Sequence, residues 1–138
     1  MRLTEDERKA IVSLRLGNAR QTLEDAKIIA NNKLWKATAN RLYYACFYAA
    51  NALMTKYGLE AKTHAGIIRL LGLNFISKNI ISTDLGNVYY KLFSLRQKGD
   101  YDDWMIINES DIVPLIEPAE KFIAEIELLI YNSSFKTE

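Results

Sequence analysis

Arg96 is followed by Gln97, Lys98, Gly99, Asp100 and Tyr101, and the helical residues before it are mostly apolar. Phe93, Leu92 and Tyr89 precede it at helical spacing, so its side chain leaves from a face that should pack inward. A guanidinium there requires a carboxylate, a phosphate or an interface, because breaking a buried pair strands a charge at a cost of roughly 3 to 5 kcal/mol. Asp100, four residues on, suits an ion pair near a helix C-terminus. The planar, five-donor fork suits a phosphate equally well, and the sequence leaves both partners open.

Aromatic side chains gather at Tyr43, Tyr44, Phe47 and Tyr48, where they could stack bases or simply pack. Tyr44 and Tyr48, four apart and aligned with Asn51, are the candidates for lining a cleft. Asp100, Asp102 and Asp103 offer oxygen ligands, but their spacing matches no calcium loop and reads as a solvated acidic turn. His64 follows an apparent N-cap, Thr63, and reads as a surface or capping residue; with one histidine and one cysteine there is no zinc site. Cys46, without basic neighbours in sequence, belongs to a core. Walker-type glycine loops, nucleophile elbows and zinc-protease motifs are absent from the sequence, which calls for no cofactor and no metal.

The elements that must position these residues read as helices. Two prolines, six glycines and long runs with apolar residues at three and four exclude a sheet-rich chain. A first helix is expected from about Thr4 to Asn31, with Ile11, Leu14, Ala19, Leu23, Ala26 and Ala30 inward. A second, about Leu34 to Tyr57, is apolar nearly all round and therefore central, ending at Gly58. A shorter helix after Thr63 carries Ile67, Ile68, Leu70 and Leu71. Ser82-Thr83-Asp84 opens a fourth, which Gly99 should break. After a nine-residue loop, Asn108 caps a fifth, which Pro118 should kink or restart. Short connections favour antiparallel neighbours, hence an all-α, up-and-down bundle of four long helices and a shorter one, forming one domain over 1–138 with a frayed tail over 131–138.

Composition narrows the function classes. Eighteen Lys and Arg against 17 Asp and Glu give a net charge of +1, so any polyanion binding must be local. A lone cysteine excludes an intrachain disulfide and suits a reducing cytosol. The charged N-terminus lacks a signal peptide's apolar stretch, and the apolar segment Leu42 to Met54 falls short of the roughly 20 residues a membrane span needs. A cytoplasmic protein without membrane contact is expected.

Three stretches, Ala39-Asn40-Arg41-Leu42-Tyr43-Tyr44-Ala45-Cys46-Phe47-Tyr48 and the residues on to Met54, Lys62-Thr63-His64-Ala65-Gly66, and Leu95-Arg96-Gln97-Lys98-Gly99-Asp100-Tyr101, closely resemble the HEPN domain family of bacteria and archaea. The resemblance runs from the first helix to about Tyr131. It implies a helical bundle that dimerises and is often encoded beside a small nucleotidyltransferase. It also implies a toxin or ribonuclease whose active form pairs an arginine with a histidine four to six residues later, at the dimer cleft. Arg96 matches that arginine, whereas Gln97 to Asp103 contain no histidine. Tyr101 loosely matches a tyrosine that, in toxin-like members, accepts a nucleotide from the neighbouring enzyme. The leading expectation is a homodimer binding a nucleotide or RNA phosphate at Arg96, with Asp100, Tyr101, Tyr44 and Tyr48 nearby, in a toxin–antitoxin-like system with a nucleotidyltransferase partner. Two alternatives stand beside it: a non-catalytic interaction module, and a degenerate, metal-independent ribonuclease using Arg96 with Asp100 or Tyr101.

Overall fold

Helix α1, Glu5–Asn31, begins at a reciprocal cap: the Glu7 N–H donates to Thr4 Oγ1 at 3.1 Å, and the Thr4 N–H donates to Glu7 Oε1 at 2.8 Å. The computed structural model describes residues 2–132, and all regular structure among them is helical. After α1 come α2, Trp35–Lys56; α3, His64–Leu71, which runs into a π-helical turn, Gly72–Ile76; α4, Thr83–Tyr101; and α5, Glu109–Tyr131. They form the expected up-and-down bundle, with α2 packed against each of the other four helices. Positions 133–138 of the expected tail lie outside the described residues, while Tyr131 is the last residue of α5.

α2 is central because nearly every side of it is apolar or small. Cys46 points at α5, its Sγ 3.9 Å from the Ala119 carbonyl, and burial pushes its thiol well above the ordinary range. Tyr43 meets Tyr89 and Phe93 of α4. Ala45, Ala49 and Ala52, all fully buried, fall on a different edge at helical spacing and leave α1 room for its extensive pairing with α2. α1 is also tied to α5 by Arg20 with Glu127 and by Lys27 with Glu120 at 2.9 Å. These pairs are part-exposed, so each contributes at most about 1 kcal/mol.

Four expectations are corrected. On α1 the buried stripe starts at Val12 and Leu16, whereas Leu14 is 64% exposed; the inward face is rotated by one or two residues in the first half of the helix. Gly99 does not break α4, which continues to Tyr101, because Gly99 is buried beneath Ile107 and Lys36 and shares the packing of the helix. The connection to α5 is correspondingly shorter than nine residues. Pro118 does not restart α5: the helix is continuous through Pro114 and Pro118. An interior proline costs about 3 kcal/mol. Burial of Ile112, Leu115, Phe122 and Ile123 on both sides of the prolines, each contributing roughly 1.5 to 3 kcal/mol, offsets that. The π-helical turn after α3 had no sequence signal; it seats Phe75 in the core beside Tyr57.

The close edge of α2 yields a prediction. Ala49→Leu should destabilise the fold by roughly 1 to 3 kcal/mol through overpacking, read as a lowered thermal midpoint; an unchanged midpoint would mean that this edge has room to spare.

Candidate functional site

Arg96 leaves α4 toward α2 and is largely enclosed, its side chain only 14% exposed. Its guanidinium carbon lies 5.5 Å from the Tyr43 ring centroid and 5.2 Å from that of Tyr44. Its Nη2 donates to the Tyr44 hydroxyl at 2.9 Å. Two ring faces compensate part of the lost hydration, at about 0.5 to 2 kcal/mol each. Asp100 Oδ2 stands 2.9 Å from Nε, an ion pair by distance, yet the Nε hydrogen has no acceptor in line. The contact is therefore electrostatic rather than a directed, two-pronged bond, and the fork keeps bonding capacity for another anion.

His64 completes the arrangement from a third element. Thr63 caps α3, its Oγ1 accepting the Gly66 N–H at 2.9 Å, which sets His64 as the first helical residue. The imidazole stacks on Phe47 with centroids 4.6 Å apart, lies 6.0 Å edge-on from Tyr44, and has its Nδ1 2.5 Å from the Tyr43 hydroxyl. Burial and, second, the charge of Arg96 hold its pKa below the ordinary imidazole value, so it is neutral at pH 7. Tyr43 is pushed up to about 12 by burial, against smaller opposing effects of the Tyr89 hydroxyl and Arg96, and stays protonated. We assign Tyr43 as donor to Nδ1, which leaves the His64 proton on Nε2. The Tyr89 hydroxyl approaches that of Tyr43 without meeting hydrogen-bond geometry.

The structure thus brings together Arg96, Asp100 and Tyr44, sets Tyr48 against the Tyr44 ring and leaves Tyr101 outside the group. Tyr48 lies against the Tyr44 ring, centroids 6.2 Å apart, and the hydrogen bond and ring contacts of Arg96 go to Tyr44 and Tyr43. Tyr101 is 78% exposed and has no bond to the site. Asp100 borders a shallow depression of 870 Å³ that also takes in Lys36, Asn40 and Arg41. Arg41 lies 5.2 Å from the Tyr44 centroid and donates to Asn40 Oδ1. Sequence spacing left His64 and Arg41 out of the site, and weighed Tyr43 and Phe47 only as stacking or packing aromatics. His64 is a correction: it is neither a free surface residue nor a cap, because Phe47 and Tyr43 draw it into the aromatic cluster. The Tyr43–Tyr44–Phe47 run on the central helix was the available signal.

Among the described residues no three His, Cys, Asp or Glu side chains gather closely enough to hold a metal ion. The arrangement sets a fixed guanidinium and an imidazole of lowered pKa against the same tyrosine rings.

Because the unfolded chain protonates His64 at the ordinary value and the folded chain only at lower pH, stability should fall as pH drops from about 6.5 through the folded pKa, and level off below it. Proton NMR of the imidazole should place its pKa below 6.5, and Arg96→Ala should raise it; an identical titration in that variant would show that the two groups do not interact.

The family model of the HEPN domain matches residues 12–129, from α1 to α5. A UPF0332 protein of Thermotoga maritima is 32% identical over 125 residues, covering 91% of this chain and 95% of that one. A Methanocaldococcus jannaschii protein named "Putative toxin MJ0605" is 35% identical over 128 residues, covering 93% of this chain and 89% of that one. The crystal structure of TT1696 from Thermus thermophilus shares the fold, with a TM-score of 0.70 at 18% identity over 84% of this chain and 95% of that one. With the domain match spanning all five helices and relatives aligned over nearly their full length, the chain belongs to the HEPN domain family.

Proposed function

We propose that this chain is a toxin-like HEPN protein that binds the phosphate of a nucleotide or RNA at Arg96. The observation that carries the reading is the state of that guanidinium: enclosed by Tyr43 and Tyr44, paired with Asp100 through a contact that is not a directed hydrogen bond, and left with donors to spare. Phosphate is the anion that a planar fork recognises with two bonds. The toxin-like part rests on two Methanocaldococcus jannaschii relatives whose names carry the word toxin.

A homodimer belongs to the same reading. Tyr101, Trp104 and Ile106, at 78%, 92% and 74% exposure, put three large apolar side chains on and just beyond the end of α4, close in sequence to Asp100. Such a surface favours assembly. We place the protein in the cytoplasm, with a nucleotidyltransferase as its partner; no described helix is long and apolar enough to cross a membrane.

Nucleotide or short-RNA binding should weaken at least tenfold in Arg96→Ala, since a charged hydrogen-bonding group lost from a phosphate contributes about 1.5 to 3 kcal/mol. Unchanged affinity in a folded Arg96→Ala protein would remove the reading and leave the non-catalytic interaction module.

One observation favours a second reading, a metal-independent ribonuclease: His64 stands beside Arg96 in space, supplying the proton carrier that the residues after Arg96 lack. Cleavage by attack of a 2′-hydroxyl needs such a group. In that case His64→Asn should abolish cleavage of RNA in the presence of a chelator, about 100-fold or more, while leaving RNA binding within a few-fold. Cleavage that survives in His64→Asn, or is absent from wild type, would sink the ribonuclease reading without touching phosphate binding.

A further inference from the structure

A second cationic site lies away from Arg96, at the end of the bundle where the start of α1 meets the end of α2. A cavity of 610 Å³ there carries four basic side chains, Arg2, Arg8, Arg15 and Lys62, against one carboxylate, Glu60. None of the four forms an ion pair among the described residues, a state they share with most other basic side chains outside the pairs of Arg20, Lys27, Arg96 and Lys121; what sets them apart is that they line one cavity together. In a chain whose net charge is only +1, this is a local concentration of unneutralised positive charge.

Two of the four are held rigidly in place. Arg8 Nη1 donates to the Thr55 carbonyl at 2.5 Å, and Arg15 Nη1 donates to Thr55 Oγ1 at 2.6 Å and to Asn51 Oδ1 at 3.3 Å. Those bonds pin α1 to α2, and pinning alone would be a structural role. Each guanidinium nevertheless spends a single nitrogen on it, and its remaining N–H groups have no acceptor among the described residues. Donors immobilised by the fold lose little further entropy when an anion arrives.

The cavity also shares a surface with the Arg96 site. Arg41, Tyr44, Tyr48, Asn51 and Thr55 are spaced on one face of α2, and all are part-exposed. α1 borders this face through Arg8 and Arg15; α3 and α4 border it through His64 and Arg96. From Tyr44 to Thr55 it runs about 16 Å at 1.5 Å per residue. The cavity wall that includes Glu60, Ala61 and Lys62 leads directly to Thr63 and His64.

We propose that the Arg2–Arg8–Arg15–Lys62 cavity is a second binding site for phosphoryl groups, and that the α2 face lets one nucleic-acid strand occupy it and the Arg96 site together. Anion binding in the cavity stands by itself; the bridging strand rests on the phosphate reading of Arg96. Tyr48 lies between the two sites on that face, positioned to stack a base.

The test uses the full chain with two probes, inorganic pyrophosphate and a short oligouridylate, in wild type and in the Arg96→Ala background. Arg2 and Lys62 make no hydrogen bond, so Arg2→Gln with Lys62→Gln should retain the fold; Arg15→Gln is the second variant, with folding checked by circular dichroism. In the Arg96→Ala background both probes should still bind, and the cavity substitutions should weaken them about tenfold. For the oligonucleotide, the slope of log affinity against log salt should shrink by about 0.7 per charge removed. Oligonucleotide binding far tighter than pyrophosphate binding in wild type identifies a strand as ligand, whereas equal binding identifies a small phosphate and overturns the bridge. Cavity substitutions that change neither affinity nor salt slope, or no binding of either probe by wild type, overturn the cavity site whatever Arg96 does. Binding lost in the cavity variants but unaffected by Arg96→Ala would instead sustain the cavity and remove the Arg96 reading.

Discussion

A guanidinium that has lost most of its water must be compensated by something, and Arg96 is compensated by aromatic faces more than by carboxylates. Tyr43 and Tyr44 offer their rings and Tyr44 its hydroxyl, while Asp100 stands close without directing a bond. That constraint shapes its surroundings. The tyrosines must sit on the helix that α4 packs against, α3 must deliver His64 to the same rings, and Asp100 must stay helical one turn beyond Arg96. Helical structure through Gly99 is part of this requirement, since a break at that glycine would release Asp100 from its position.

α2 reconciles two jobs that usually compete. Ala45, Ala49, Ala52 and Cys46 let neighbouring helices approach closely and are fully buried. Tyr44, Phe47, Tyr48, Asn51 and Thr55 stay part-exposed on the remaining side. A central helix buried all round could not present a site, and an amphipathic surface helix could not touch four partners. The compromise places the polar and aromatic face of α2 between α1 on one side and α3 with α4 on the other.

Much of this was legible in the sequence, for stated physical reasons. Helix starts read at about Thr4, after Thr63 and at Ser82 lie within a residue of those observed, and at Thr63 the expected cap is present, because a side-chain acceptor for the first free N–H groups is a local requirement. Arg96 announced itself by standing on the apolar stripe of Tyr89 and Leu92, both of which are buried. Less local features were hidden. Leu14 looked inward, since Val12 and Leu16 share its period and only packing chooses between the two phases. His64 looked ordinary because its partners, Phe47 and Tyr43, lie on another helix, and no spacing rule within α3 refers to them. The prolines of α5 misled for the opposite reason: their local cost is real, but the core residues on either side outweigh it.

The central claim is the proposed one, that a phosphate binds Arg96 at the rings of Tyr43 and Tyr44, beside His64, which is far from Arg96 in sequence but packs on the same rings. Side-chain NMR during titration with a nucleoside monophosphate addresses it most directly, following the Arg96 guanidinium and the His64 imidazole at once. The account predicts that both resonances shift along a single saturating curve with one dissociation constant. Shifts confined to one of the two groups, or saturation at different concentrations, would contradict it.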